Sequence, residues 1–252
     1  VPGNWGRWQV NMIDSLANHI IFISENELSH FQELNGRGLK APHSVIYNSA
    51  DAEDSEKPFM GFEGLDGRFK ILSLGNISYI KGIDRLVDVA EALRRLEDTQ
   101  SVFIVCGRDA DPRLARGMRE RAERTGLQDY FRFVGWQAHP EAYLRACDAV
   151  INLTREDNPW GRDIIEAMTH GKPVVSLGHY SKFIEHGQTG VLLSNYHPES
   201  VARELIRLGQ DSQYRDELGR KAKARSKELF DGRAQARRVE EIYEALVKSP
   251  GT

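Results

Sequence analysis

Short apolar runs, most of them rich in β-branched residues and without polar alternation, recur along this chain at residues 19–24, 44–47, 70–74, 101–106, 131–134, 149–153, 173–177 and 191–193. A strand with one wet face alternates apolar and polar side chains. Runs that do not alternate predict strands buried on both faces, which means a parallel sheet covered by helices. Longer amphipathic stretches separate the runs, as an α/β fold with a doubly wound sheet requires. In one of them Ile83, Leu86, Val87, Ala90 and Leu93 recur at helical spacing. In another, Asp111 before Pro112 predicts an N-cap and first-turn proline, with Gly126 as the C-terminal stop.

The organisation predicted from these runs is uneven. Residues 51–68 are acidic, carry Pro58 and three glycines, and lack a clear period, which reads as a linker. Residues 1–50 hold one helix-strand-helix-strand piece, too small to bury a core alone. They read as the tail of a truncated N-terminal domain, and a first residue of Val1 in place of Met fits a piece of a longer protein. Residues 69–230 make a complete doubly wound unit, and residues 231–252 a final helix with Ala236, Val239, Ile242, Tyr243 and Leu246 on one side. The formal charge of -3 supplies no basic field, so nucleic acid is a poor default partner. Cys106 and Cys147 lie far apart in apolar runs and read as buried free thiols of a reducing, cytoplasmic compartment. No apolar run approaches the roughly 18 residues that span a bilayer, and no signal-peptide pattern opens the chain.

Candidate chemistry concentrates where strands end. The stretch from Asn158 through Trp160, Gly161, Arg162 and Glu166 to Pro173 puts a glycine-containing turn at the start of a short helix. Unpaired backbone N–H groups and the helix dipole there suit an anion such as a diphosphate over Trp160, Gly161 and Arg162. Arg162 adds a bidentate donor, and Glu166, one turn on, can accept hydrogen bonds from sugar or ribose hydroxyls. An ordinary capped helix between strands has the same pattern. A second turn, from Gly75 and Asn76 to Lys81 and Gly82, also follows a strand and precedes a helix; Gly75 permits close backbone approach and Lys81 can reach a phosphate. Gly107 and Gly135–Trp136 are further glycines at strand ends. None of these is the G-x-G-x-x-G fingerprint of a dinucleotide oxidoreductase.

In their order and spacing these blocks resemble the C-terminal half of a GT-B-fold glycosyltransferase of family 4. The resemblance is carried by Gly75 to Lys81–Gly82, Ile104–Gly107, Phe133–Gly135, Ala146–Asp148, and Glu166-Ala-Met followed by Gly171-Lys-Pro173-Val-Val. Residues 21–24 and 46–51 resemble the last strand-turn of that family's N-terminal acceptor domain and the interdomain connection. The resemblance implies a Rossmann-like donor-binding domain with a remnant of the acceptor domain. It implies retaining transfer of a sugar from a UDP- or GDP-linked donor to a glycan or lipid-linked acceptor, with no other cofactor and no obligatory metal. By position, Lys81 would stabilise the departing diphosphate, Trp160 to Arg162 would cradle it, Glu166 would hold the ribose, and Gly135 and Trp136 would lie near the base. Acceptor residues would come from the N-terminal half, so this chain alone is expected to bind nucleotide weakly and transfer little sugar.

Two positions depart from that family. Asn76 stands where it often has Arg, and Asn158 where it has the first Glu of a Glu-x7-Glu pair ending at Glu166. Asn158 can contact the sugar by hydrogen bonding but carries no charge beside a cationic transition state. These two asparagines also suit a non-catalytic nucleotide or sugar-phosphate binding module. A flavodoxin-like or response-regulator reading shares only the fold class. The basic stretch Arg220, Lys221, Lys223, Arg225, Lys227, Arg233, Arg237 and Arg238 would suit peripheral contact with an anionic membrane, although interspersed Glu217, Glu228 and Asp231 favour a solvated helical face.

Overall fold

A computed structural model describes residues 6–50, 62–157 and 159–248. The chain divides into two compact units, Val1–Ala50 with Glu228–Thr252, and Asp51–Lys227. In the first, helix α1 (Arg7–Leu16), strand β1 (Ile20–Phe22), helix α2 (Glu25–Asn35) and strand β2 (His43–Val45) succeed one another, and β1 pairs β2 in parallel. Val10, Phe22 and Phe31 form its small core. The last helix, α9 (Gly232–Lys248), belongs to this unit rather than standing alone. The Arg238 guanidinium donates to the Val45 carbonyl at 2.9 Å, and the Tyr47 and Phe230 rings meet edge to face. Val239, Ile242 and Leu246 are half-buried, whereas Ala236 and Tyr243, grouped with them by sequence, face solvent.

The second unit holds a sheet of order β5-β4-β3-β6-β7-β8, parallel throughout, formed by β3 (Phe69–Leu74), β4 (Ser101–Cys106), β5 (Phe131–Gly135), β6 (Ala149–Asn152), β7 (Val174–Leu177) and β8 (Gly190–Leu193). Ile71, Phe103, Ile151 and Val175 point into a core shared with α3 (Arg85–Arg95), α4 (Pro112–Arg124) and α7 (Pro198–Gln210). Their alternating neighbours Leu72, Ile104, Val150 and Val174 are equally buried. Both faces are therefore covered, which is why these runs show no polar alternation. Asp111 caps α4 as expected, its carboxylate accepting from the N–H groups of Arg113 and Leu114, and Gly126 ends the helix at φ +66°.

Of the stretch read as a linker, residues 51–61 lie outside the described residues, and residues 62–68 are folded into the second unit. Leu65 is fully buried, the Phe62 and Tyr143 rings are 5.8 Å apart, and Arg68 donates to the carbonyls of Gln100 and Ser101. Cations of the basic stretch on α8 (Ser212–Leu229) find partners in the same unit: Arg220 and Lys221 pair with Glu217, and Arg225 with Glu185 and the Lys182 carbonyl. Among the described residues no helix is long and apolar enough to cross a membrane.

Candidate functional site

Chain order and sheet order part company at β3. Its successor β4 lies on one side and β6 on the other, so the loops leaving the carboxyl ends of β3 and β6 diverge and open a crevice. The strand ends beside that crevice are joined tightly. The Gly75 N–H donates to the Cys106 carbonyl and the Gly107 N–H to the Gly135 carbonyl, each at 2.9 Å. Gly75 takes φ +144°, and a Cβ placed on Gly107 would stand 1.8 Å from the Gly75 carbonyl oxygen. Glycine at Gly107 is thus a steric requirement of two backbones in contact.

These turns border a cavity of about 160 Å³ lined by Gly75, Asn76, Gly107, Trp136 and Glu166, together with Leu74, Cys106, Gln137 and Pro140. Five residues that the sequence picked out from separate stretches thereby meet in one place. Gly135 takes φ +69° and turns the chain so that Trp136 stands 57% exposed at the rim. The Arg108 guanidinium lies 4.9 Å from the Trp136 ring centre, a stacked cation that sequence reasoning missed.

Glu166 sits on α6 (Arg162–Thr169), whose N-cap is Gly161. Its side chain is only 19% exposed and accepts from Arg162 Nε at 2.9 Å. Burial pushes the Glu166 carboxyl above the ordinary glutamate range, against the opposing pull of Arg162. Arg162 itself is 76% exposed, and this pairing with Glu166 is its contact within α6. Trp160 is buried, its ring 5.5 Å from Tyr180 in an edge-on packing. Gly161 packs on Asp163, whose carboxylate accepts from Asn152 Nδ2 at 2.7 Å. Asn158 lies outside the described residues.

Lys81 is half-buried at the far end of the β3–α3 loop, outside the lining of that cavity, and makes no hydrogen bond or ion pair with another described residue. Its loop is held instead by residues that carried no motif signal. Arg155 forms a two-pronged pair with Asp84 at 2.8 and 2.7 Å, and Thr154 Oγ1 donates to the Ile80 carbonyl. A second unforeseen link joins the loops after β6 and β7, where Asp157 accepts from the His179 N–H at 2.9 Å. Among the described residues no group of three or more His, Cys, Asp or Glu is placed to hold a metal ion.

Burial pushes the Cys106 thiol up to about 11 and the Cys147 thiol up to about 12. Because the thiolate is the nucleophile, N-ethylmaleimide at pH 7.5 should label neither cysteine in the folded chain and both after denaturation. Intact-mass spectrometry reads the result, and rapid labelling of Cys106 would mean that the cavity wall is open.

Residues 58–225 match the family described as glycosyl transferases group 1. Glycogen synthase of Mycobacterium tuberculosis is 28% identical over 241 residues, covering 94% of this chain and 55% of that protein. A 2-deoxystreptamine N-acetyl-D-glucosaminyltransferase of Niallia circulans is 31% identical over 147 residues, covering 56% of this chain and 36% of that protein. The chain thus spans about half the length, or less, of the curated relatives it matches. In fold it is similar to Anabaena HepE in complex with UDP and glucose, with TM-score 0.84 and 22% identity over 98% of this chain and 69% of that one.

Proposed function

The chain belongs to the glycosyl transferases group 1 family, and on that premise we propose that it binds the nucleotide end of a UDP- or GDP-linked sugar donor in the crevice beside β3. The wider reading is retaining transfer of that sugar to a glycan or lipid-linked acceptor. One observation carries the donor site: Gly75, Asn76, Gly107, Trp136 and Glu166 line a single cavity at the point where the sheet order reverses. HepE, alike in fold, was solved with UDP and glucose bound.

In this reading the ribose hydroxyls donate to the Glu166 carboxylate and the base lies beside Gly135 and Trp136. The diphosphate extends toward Lys81 and the backbone of residues 160–162. Arg162 exchanges Glu166 for phosphate oxygens, supplying a cation that Asn76 does not. As the bond from the anomeric carbon to the diphosphate breaks, negative charge grows on the leaving oxygen. Fixed donors already aimed there lower the barrier without having to reorganise. With Lys81, Arg162 and backbone N–H groups meeting that charge, no obligatory metal is proposed. Two buried thiols suit a reducing cytoplasmic setting.

Calorimetric titration with UDP, GDP and ADP, with and without EDTA, tests the reading. One nucleotide should bind independently of metal and more weakly to Glu166→Gln. A buried carboxyl that ionises late accepts poorly from ribose while it is protonated. Affinity should therefore fall, as pH is lowered, at higher pH than an ordinary glutamate would give, and Glu166→Gln should flatten that dependence. Since the folded chain holds this proton more tightly than the unfolded one, Glu166 costs stability as pH rises above 4.5. Glu166→Gln should therefore melt slightly higher than the unaltered chain at pH 7. Binding unaffected by Glu166→Gln would move the ribose elsewhere.

A further inference from the structure

The ammonium of Lys81 has no partner among the described residues, yet the backbone on either side of it is held by several bonds to the segment after β6. The carbonyl of Tyr79, two residues before it, accepts from Arg155 Nη1. The carbonyl of Ile80, one before it, accepts from the Arg155 N–H at 2.8 Å and from Thr154 Oγ1 at 3.2 Å. Directly after it, Gly82 at φ +65° lies so close to the segment after β6 that a Cβ would stand 2.0 Å from the Leu153 carbonyl oxygen. Three residues after it, Asp84 takes both prongs of the Arg155 guanidinium. The same guanidinium stacks 3.9 Å from the centre of the Tyr79 ring. Arg85 then closes the turn by donating to the carbonyls of Leu153 and Thr154, each at 3.0 Å.

One side chain, Arg155, thus bonds on both sides of Lys81 and ties the loop after β3 to the segment after β6. Only a planar guanidinium fits all of these demands. It forks onto a carboxylate, donates a further N–H to a carbonyl and sits over an aromatic ring, whereas an ammonium meets one of them at a time. With 19% of the Arg155 side chain and 29% of Asp84 exposed, the pair is sheltered enough to be more than a screened surface contact. The crevice of the α/β sheet opens between the two loops that this latch joins.

We propose that Arg155 is a positioning residue for Lys81: through Asp84, Tyr79 and Ile80 it holds that lysine toward a diphosphate lying between the β3–α3 loop and α6. The inference rests on the donor-site reading above. It concerns a residue that does not line the cavity and is not meant to touch the nucleotide.

A double-mutant cycle tests it. Arg155→Ala, Lys81→Ala and the double variant are titrated with whichever of UDP, GDP and ADP the unaltered chain binds tightest, and with the matching nucleoside. Lys81→Ala should weaken diphosphate binding about tenfold or more, as loss of a charge-assisted contact does. Arg155→Ala should weaken it several-fold. The double variant should be no worse than Lys81→Ala, and nucleoside binding should stay constant throughout. Arg155→Lys should recover only part of the loss. A ligand-free readout runs alongside: amide exchange over residues 77–83 should accelerate in Arg155→Ala.

Independent, additive losses would overturn the proposal and leave the donor site standing, as would equal weakening of the nucleoside or unchanged exchange over residues 77–83. Absence of binding by all three nucleotides to the unaltered chain would instead remove the donor site, and this role of Arg155 with it.

Discussion

Lys81→Ala is expected to lower affinity for the nucleoside diphosphate by about 10- to 100-fold, the span of a charge-assisted hydrogen bond worth about 1.5–3 kcal/mol. Its melting temperature should stay close to that of the unaltered chain. The dissociation of binding from stability comes from the surroundings of this lysine. Its ammonium makes no bond to another described residue, so removing it breaks no hydrogen bond or ion pair among them and costs only the packing of a half-buried stem, while its loop stays fixed by Arg155, Thr154 and Arg85. Asn76 sharpens the expectation. Without a cation at that turn, the diphosphate depends on Lys81 and on Arg162, and the latter must first leave Glu166. The matching nucleoside lacks the phosphates and should bind Lys81→Ala as well as it binds the unaltered chain. Equal weakening of both ligands would show that the lysine shapes the pocket. No weakening of either would assign the diphosphate wholly to Arg162 and the start of α6.

The features legible in the sequence obey short-range rules. Strands buried on both faces announce themselves by lacking alternation, and Asp111, Pro112 and Gly126 act within a few residues of where they stand. The glycines at Gly75, Gly107 and Gly135 are visible in the sequence because each follows a strand-like run where a turn is needed. What they do to one another, Gly107 resting on Gly75, depends on strands being adjacent in the sheet. The partner of a long charged side chain is likewise set by tertiary placement. Arg155 reads as one charged residue in a polar stretch until β6 is laid beside β3. Arg162 and Glu166, one turn apart on a helix, share a face by spacing alone, and the structure adds that they bond to each other. Trp160 was grouped with the anion-binding turn because of its position. Its ring packs against Tyr180, a contact that spacing cannot reveal.

The close approach of Gly107 to Gly75 leads to the second large effect. Gly107→Ala should cost on the order of 3 kcal/mol, the upper part of the range for overpacking, and lower the melting temperature by roughly 10 °C for a chain of this size. A new Cβ would sit 1.8 Å from the Gly75 carbonyl oxygen and 2.5 Å from its carbonyl carbon, and both neighbours are backbone, which has no rotamer to swing aside. Relief requires the ends of β3 and β4 to separate. That movement strains the bonds from Gly75 N–H to Cys106 and from Gly107 N–H to Gly135, the two links that zip three strand ends beside the cavity. Nucleotide binding should therefore fall with stability, the opposite of the pattern for Lys81→Ala. Two other glycines calibrate the result. Gly117 lies inside α4 with nothing within 4 Å of an added Cβ, so Gly117→Ala should raise stability by up to about 1 kcal/mol through helix propensity alone. Gly135 also has open space but sits at φ +69°, so Gly135→Ala should cost about 1–2 kcal/mol from the left-handed backbone. Thermal melts of the three variants should rank Gly117→Ala highest and Gly107→Ala lowest. A Gly107→Ala chain that melts with the unaltered one and binds nucleotide as well would mean that the strand ends are loosely joined, and that the cavity is not built by their contact.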